Sequence, residues 1–203
     1  MTRPNALTVT IPLTGCTDGE LAALALTGRQ AAFGELMRRY REPVFRLVRS
    51  HVGDADEALD VVQETFVAAF ASIGRYHGNR PFRHWINRIA LNKCRDWGRR
   101  RAVRRMFRFA LPLDAASELV DTAVAGEAAF DDARALARVA RAIAALPATL
   151  KEPLILTAVD GLSQAEAATV LGISEKAVEV RIYRARKALV GKIGEATMSQ
   201  PES

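Results

Sequence analysis

Residues 161–189 read GLSQAEAATVLGISEKAVEVRIYRARKAL, and this stretch decides the class of fold. Ser163 followed three residues later by Glu166 is a capping box, a pattern that begins a helix by satisfying its free N–H groups. Gly172 supplies the left-handed residue that commonly ends a helix, and Ser174 is placed to cap a second helix directly after it. The spacing therefore predicts a helix-turn-helix.

The second helix of this motif has an apolar back and a basic front. We expect the back to be core, together with Ile173 of the turn; its residues are Val178, Ile182, Ala185 and Leu189. A front of long donors and small groups is what a helix needs to enter the major groove of duplex DNA. That front consists of Lys176, Val180, Tyr183, Arg184 and Lys187, flanked by Glu179, Arg181 and Arg186. The alternative is a helical hairpin whose basic face is merely solvated.

Charge is unevenly distributed along the 203 residues, whose net charge is +6 and whose sequence pI is near 9.8. The segment 83–108 is crowded with Lys and Arg and holds Asp96 as its one acid, whereas 109–133 holds six acids and no Lys or Arg. A basic balance fits a polyanionic partner such as nucleic acid. The change of sign predicts an acidic linker, which either lies transiently on the basic neighbour or is a solvated spacer.

Both sides of this linker are expected to be helical, because no stretch alternates strictly with period two. The sequence thus predicts an all-α fold of two small helical domains joined by a flexible acidic linker. The expected helices are roughly 18–27, 30–51, 55–73 and 82–101 in the first domain, and 131–146, 150–159, 163–171 and 175–190 in the second. The expected boundaries are an N-terminal tail at 1–17, domains at 18–105 and 131–193, the linker at 106–130 and a C-terminal tail at 194–203.

Further capping boxes are predicted at Thr17/Glu20 and Thr149/Glu152. Two apolar stripes at helical spacing are expected to be core packing. The first stripe is Phe33, Leu36, Tyr40, Val44 and Leu47, and the second is Leu59, Val62, Phe66, Phe70 and Ile73.

An acidic ridge runs along the third predicted helix: Asp56, Asp60 and Glu64, with Gln63 beside them. Like charges four residues apart destabilise an isolated helix by about 0.2–0.5 kcal/mol per pair. No Lys or Arg occurs between Arg49 and Arg75, so we expect no cation nearby in the sequence to offset this repulsion. A basic external partner would explain the ridge. An acidic solvated face near a helix N-terminus, where the helix dipole favours acids, would explain it equally well.

Residues 82–101, FRHWINRIALNKCRDWGRRR, place aromatic and basic residues on one helix. We expect Trp85 and Trp97 to pack inward with the other apolar residues. A continuous polar stripe remains outside: His84, Arg88, Asn92, Arg95 and Arg99. Arginines supply phosphate contacts, and an asparagine can bond a base edge at two positions. The stripe is therefore a candidate surface for nucleic acid.

The loop 74–81, GRYHGNRP, precedes this helix and is rich in turn residues. An aromatic ring beside cations on a loop suits single-stranded nucleic acid, since splayed bases stack on rings while cations follow the backbone. We expect Tyr76 to be the exposed ring, with His77, Asn79 and Arg80 beside it.

The composition disfavours several classes of protein. No apolar run approaches the ~20 residues of a membrane span, and the N-terminus makes a poor signal peptide. Two cysteines, Cys16 and Cys94, are too few for a disulfide framework or a zinc site and suit a reducing cytoplasm. No metal-binding carboxylate cluster and no nucleophile–base pair accompanies the basic stripe, so a nuclease is a weak alternative. We expect no catalytic residue, no metal and no cofactor.

Four segments in this order resemble bacterial RNA polymerase sigma factors of the sigma-70 family, and most nearly the two-domain extracytoplasmic-function group. The segments are FGELMRRYREPVFRLV, DVVQETFVAAF, FRHWINRIALNKCRDWGRRR and LPATLKEPLILTAVDGLSQAEAATVLGISEKAVEVRIYRARKAL. The resemblance implies a dissociable subunit that binds core RNA polymerase and promoter DNA, usually restrained by an anti-sigma factor. A two-domain regulator that does not join polymerase is the alternative.

The resemblance also implies residue roles. By this resemblance, Asp60, Gln63 and Glu64 would contact the polymerase, and Asp56 lies on the same ridge. Capture of a flipped base from the melted non-template strand at the −10 element falls on Tyr76, His77, Gly78, Asn79 and Arg80, with Arg88 and Asn92 nearby. Duplex reading at the −35 element falls on Lys176, Glu179, Val180, Arg181, Tyr183 and Arg184. Glu179, Val180 and the pair Arg80–Pro81 depart from the residues that the family commonly has there.

Overall fold

The computed structural model describes residues 12–110 and 127–198, and the side chains of 12–107 and 135–192. The described chain is helical and contains no strand, which confirms the all-α class. Its helices are α1 (Asp18–Leu26), α2 (Gln30–Val52), α3 (Ala55–Ala71), α4 (Phe82–Ala110), α5 (Glu127–Ala144), α6 (Ala148–Ala158), α7 (Gln164–Leu171) and α8 (Glu175–Met198). We call α1–α4 the first unit and α5–α8 the second unit.

Two of the three predicted capping boxes are confirmed. Thr17 accepts a hydrogen bond from the backbone of Glu20, whose carboxylate accepts one in return at 2.7 Å. Ser163 and Glu166 make the same reciprocal pair at the start of α7. The third box, at Thr149, is wrong. Helix α6 begins one residue before that threonine, after Pro147, and no side chain caps it.

Because Ser163 caps a helix and Thr149 does not, we expect their replacement to affect stability differently. Replacing Ser163 with alanine should lower the free energy of unfolding by about 1 kcal/mol, because one N–H at the start of α7 loses its acceptor. The matched control, Thr149→Ala, should change it by less than ~0.5 kcal/mol, since Thr149 is exposed and caps nothing. Urea unfolding midpoints of the two variants measure the difference. Equal losses would contradict the placement of the cap.

The first unit encloses an apolar core. Leu21, Leu36, Leu47 and Ile86, which come from α1, α2 and α4, are fully buried. The predicted stripe of α3 is correct at Val62 and Phe66 but wrong at Leu59 and Phe70, which are 48% and 45% exposed. The observed buried face of α3 is rotated about the helix axis relative to the predicted stripe. It consists of Ala58, Val61, Val62, Thr65, Phe66 and Ala69.

Several helices are longer than their patterns indicate. Helix α4 continues to Ala110, beyond the expected end at 101, and α8 continues to Met198, beyond 190. Residues 102–110 of α4 contain no Gly or Pro, and their Ala, Arg and Met are good helix formers. Propensity therefore extends α4 where the amphipathic pattern alone gave no reason to continue.

The second unit contains the predicted helix-turn-helix. Gly172 ends α7 with φ of 67°, a left-handed conformation that suits glycine. Ser174 accepts a hydrogen bond from the backbone N–H of Ala177 at 3.2 Å, as its capping role requires. Val178, Ile182 and Ala185 are buried, and the apolar back of α8 is therefore confirmed.

The two units lie against each other: α4 packs on α7, and α2 packs on α5 and α6. The end of α2 approaches α5 so closely that a Cβ on Gly53 would lie 2.8 Å from the Cβ of Ala144. Gly53 also has φ of 89°, so both the space and the backbone conformation require glycine there. This arrangement places acidic side chains of the second unit over part of the polar stripe.

Candidate nucleic-acid interface

The acidic ridge of α3 is partly neutralised. Glu64 accepts hydrogen bonds from Arg100 of α4 at 3.0 and 3.1 Å and lies 3.9 Å from the ammonium of Lys93. The expectation that no cation offsets the repulsion along the ridge is therefore wrong at Glu64, because α4 supplies the cations that α3 lacks. Asp56, Asp60 and Gln63 are exposed, and among the described residues no ion pair reaches either aspartate.

An apolar groove lies between α2 and α3 beside the ridge. Met37, Phe45, Leu59 and Val62 contribute its apolar walls. Its remaining lining residues are Gly34, Arg38, Arg41 and Glu42. Exposed apolar surface rimmed by charges is typical of a protein–protein interface. The sequence missed this groove because Leu59 has the spacing of a core residue, and only the packing shows which side of the stripe is covered.

The 74–81 loop does not present Tyr76, and the expectation of an exposed ring there is wrong. Tyr76 is 9% exposed, and its hydroxyl donates a hydrogen bond to the backbone oxygen of Arg80 at 2.6 Å. Its ring packs with Phe82 and Trp85, at centroid distances of 5.1 and 5.5 Å. Burial raises the pKa of Tyr76, as expected for a phenol inside an aromatic cluster. The ring therefore anchors the loop from below.

The rest of the loop is open to solvent. His77, Gly78, Asn79 and Arg80 are all exposed. Gly78 rests against the start of α1, where a Cβ on Gly19 would lie 3.3 Å from the Gly78 oxygen. The buried ring of Tyr76 and the close approach of Gly78 to Gly19 thus hold the loop in place, while its polar side chains are exposed.

Variants of Tyr76 separate anchoring from base stacking. Tyr76→Ala should lower the free energy of unfolding by about 3–5 kcal/mol, because an aromatic side chain leaves the core. Tyr76→Phe should cost only about 1 kcal/mol, through the lost hydrogen bond to Arg80. Chemical denaturation measures both. A Tyr76→Ala protein of unchanged stability would show that the ring lies outside the core.

The polar stripe of α4 is partly open and partly covered. Arg88, Asn92 and Arg99 are exposed, whereas His84 and Arg95 are intermediate. Arg95 donates to Asn92 at 3.0 Å, and Arg99 donates to Asp96. As expected, Trp85 and Trp97 pack against the apolar core, each partly buried.

Asp160, in the turn after α6, binds two residues of α4 that the sequence did not single out. Arg83 contacts the two carboxylate oxygens at 2.9 and 3.1 Å, and Asn87 donates to one of them at 2.6 Å. Asn87 is 1% exposed, and its own amide oxygen has no partner among the described residues. Burial raises the pKa of Asp160, opposed by the hydrogen bond from Asn87 and the charge of Arg83. No signal near Arg83 or Asn87 could reveal a partner more than 70 residues away.

Glu152 of α6 is buried against the first unit. Arg95 donates to its carboxylate at 2.7 Å, and His51 lies 3.7 Å from it, too far for a hydrogen bond. Burial raises the pKa of Glu152, but the neighbouring His51 and Arg95 lower it by more. The adjacent Lys151 donates to the backbone oxygen of His51 at 2.8 Å. Burial lowers the pKa of His51, although the neighbouring Glu152 acts in the opposite direction.

The front of α8 is accessible. Lys176, Glu179, Val180, Tyr183, Arg184 and Lys187 are exposed, and Arg181 is intermediate. Lys176 and Glu179 form an ion pair of 2.8 Å along the helix, so the acid is compensated from within the same face. Basic, hydroxyl and aliphatic groups stand together here over a buried back, as a recognition helix requires.

The described part of the chain contains no group of three or more His, Cys, Asp or Glu residues that could hold a metal ion. None of its helices combines the length and the apolar character needed to cross a bilayer. Both cysteines are free, and burial raises the pKa of the Cys94 thiol to about 12, which makes it unreactive.

Two family models match the chain, one within each unit. The family model for Sigma-70 region 2 matches residues 36–104, and that for Sigma-70, region 4 matches 136–189. The RNA polymerase sigma factor CnrH of Cupriavidus metallidurans is 44% identical over 181 residues, which cover 85% of this chain and 92% of CnrH. The ECF RNA polymerase sigma-E factor of Salmonella typhimurium is 31% identical over 197 residues, covering 87% of this chain and 94% of that protein.

The fold agrees with these matches. The structure of CnrH in complex with the cytosolic domain of CnrY has a TM-score of 0.63 and 39% identity, and covers 88% of this chain and 97% of that one. The family models, the relatives and the fold all indicate the same family. The chain therefore belongs to the sigma-70 family of RNA polymerase sigma factors, in its extracytoplasmic-function group.

Proposed function

We propose that this sigma factor binds core RNA polymerase through the surface shared by α2 and α3. The observation that carries the proposal is the apolar groove beside exposed Asp60 and Gln63. A protein that only bound DNA would have no use for an acidic and apolar surface, since DNA repels carboxylates. Asp56 and Glu64 complete this surface, and the polymerase segment that it fits is basic with an apolar ridge.

The −10 promoter element is held by the first unit. The exposed His77, Gly78, Asn79 and Arg80 form the rim of a site for a flipped base of the non-template strand, and Tyr76 fixes the loop beneath them. The polar stripe of α4, from His84 to Arg99, continues from this loop. Arg88 and Asn92, the two members that face solvent in its middle, bind the backbone and a base edge of the melted strand.

The −35 element is read in duplex form by α8. Arg181, Arg184 and Lys187 contact phosphates or guanines. Val180 and Tyr183 offer apolar surface to thymine methyl groups. Glu179 is paired with Lys176, which offsets its repulsion of phosphate. Lys176 and Glu179 therefore act together on the front of the helix, as a hydrogen-bond donor beside an acceptor.

The protein acts with polymerase in the cytoplasm and catalyses no reaction itself. Binding energy and trapped bases drive strand opening, and no metal or cofactor takes part. CnrH has been solved with the cytosolic domain of CnrY. By that likeness we propose an anti-sigma factor as a further partner of this chain.

In vitro transcription with purified core polymerase tests the function. The protein should bind core and support initiation at a subset of promoters, found by sequencing the transcripts made from fragmented genomic DNA. Failure both to bind core and to initiate at any promoter would overturn the proposal. Promoter binding without core binding would favour the alternative, a two-domain regulator that does not join polymerase.

A further inference from the structure

The first turn of α1 supports the loop that precedes α4. Gly19 of this turn lies against Gly78 of the loop, and the neighbouring Asp18 is bound by two residues of α2, Arg39 and Tyr40. We propose that Asp18 and Gly19 are positioning residues for base capture at the −10 element: they fix where the loop lies without contacting DNA themselves. The inference rests on the proposed function of this loop.

Two glycines allow α1 and the loop to approach closely. A Cβ on Gly19 would lie 3.3 Å from the backbone oxygen of Gly78 and 3.4 Å from its Cα, and a Cβ on Gly78 would lie 3.4 Å from the Cα of Gly19. Any side chain at Gly19 would therefore press on backbone atoms, which cannot rotate aside as the end of a side chain can. The loop would have to shift to admit even a methyl group, so contact with α1 helps to set its position.

The first turn of α1 is itself fixed to α2. Asp18 uses both carboxylate oxygens, because Arg39 donates to one at 3.0 Å and the hydroxyl of Tyr40 donates to the other. Arg39 also donates to the backbone oxygens of Leu13 and Thr14, just before the helix, at 3.3 and 3.0 Å. The capping box at the start of α1 satisfies its free N–H groups as well. A loop that rests on this turn therefore has a defined position.

Tyr40 connects this turn to the aromatic anchor of the loop. Its ring packs against Phe82 at a centroid distance of 4.9 Å, and Phe82 packs against Tyr76 at 5.1 Å. Burial raises the pKa of Tyr40, and the hydrogen bond to Asp18 raises it further, so the hydroxyl stays protonated and continues to donate. The two supports of the loop, the buried ring of Tyr76 and the backbone of Gly19, are thus joined through Asp18 and Tyr40.

The test uses holoenzyme assembled from core polymerase and the full chain. Its probe is the labelled non-template strand of the −10 region from a promoter found by transcript sequencing, intact or with an abasic site at one position. By fluorescence anisotropy, the wild type should bind one abasic strand roughly tenfold more weakly than the intact strand, because a captured base is missing.

Gly19→Ala should bind the intact strand roughly tenfold more weakly than the wild type does, since a site loses affinity when its contacts are displaced. It should bind that abasic strand as the wild type does, because the strand lacks the base that the loop would hold. The matched control, Gly191→Ala, makes the same change on an exposed part of α8, where no described atom lies within 4 Å of the added Cβ. It should bind both strands as the wild type does.

Equal weakening of Gly19→Ala on the intact and abasic strands would indicate a general loss of structure and overturn the proposal. Wild-type affinity of this variant for the intact strand would overturn it as well. A wild type that binds every abasic strand as tightly as the intact one would overturn the proposed function of the loop itself, and the inference with it. If Gly19→Ala is not folded by circular dichroism, Tyr40→Phe replaces it and is judged by the same outcomes, since it removes the hydroxyl that holds Asp18.

Discussion

Replacing Asp60 with lysine is expected to weaken binding of core RNA polymerase by about 30-fold or more, because reversing a charge at the centre of a charged interface costs 2–5 kcal/mol. Asp60 is exposed, adjoins the groove residue Leu59, and has no ion pair among the described residues. Reversing the charge therefore breaks no ion pair in the described part of the protein, and we expect the change to act on the affinity for polymerase. Fluorescence anisotropy of labelled protein titrated with core polymerase, in the absence of DNA, gives the affinity.

The matched control is Glu175→Lys, which makes the same change of charge on an exposed residue of the second unit. It should leave core affinity within about twofold, as for surface substitutions outside an interface. Equal weakening by both variants would indicate a long-range charge effect, and no weakening by Asp60→Lys would remove the ridge from the polymerase interface.

The double variant Arg88→Ala, Asn92→Ala is expected to reduce promoter melting by about 30-fold or more, since each good base or backbone contact contributes about 1–3 kcal/mol. Both residues are exposed, so their loss should leave the fold intact. Permanganate reactivity of thymines in the −10 region, measured on the holoenzyme, reports melting directly.

Core affinity measured in parallel should be unchanged for this double variant. Arg49→Ala removes one positive charge from an exposed part of α2, outside both proposed DNA surfaces, and should melt promoters as the wild type does. Normal melting by the double variant would show that the middle of the polar stripe does not hold the opened strand.

Local chemistry made much of this architecture predictable. The capping box at Ser163, the left-handed Gly172 and the apolar back of α8 are all decided within a few residues of sequence, and all three are confirmed. The expected helices lie close to the observed ones for the same reason, since caps and periodicity act over one or two turns. Where a helix continued without a local signal, as at the end of α4, the prediction stopped short.

The parts that could not be predicted depend on which surfaces meet. A tyrosine in a turn-rich loop gives no sign that Phe82 and Trp85 will close over it, so the exposed ring expected at Tyr76 was wrong. Leu59 has the spacing of a core residue and yet borders an open groove. The attraction between Asp160 and the pair Arg83 and Asn87 joins residues on different units and leaves no trace in either local pattern.

The ion pairs between α3 and α4 couple the two proposed surfaces of the first unit. Glu64 holds Arg100 and approaches Lys93 while all three remain partly exposed, so these pairs are weak and easily exchanged. A polymerase that engages Glu64 withdraws it from both cations, which then become available to phosphate. By thermodynamic reciprocity, whatever factor the polymerase adds to DNA affinity through this exchange, promoter DNA adds to polymerase affinity. Commitment to a promoter would thus tighten the hold of the sigma factor on the enzyme, and departure from the promoter would loosen it.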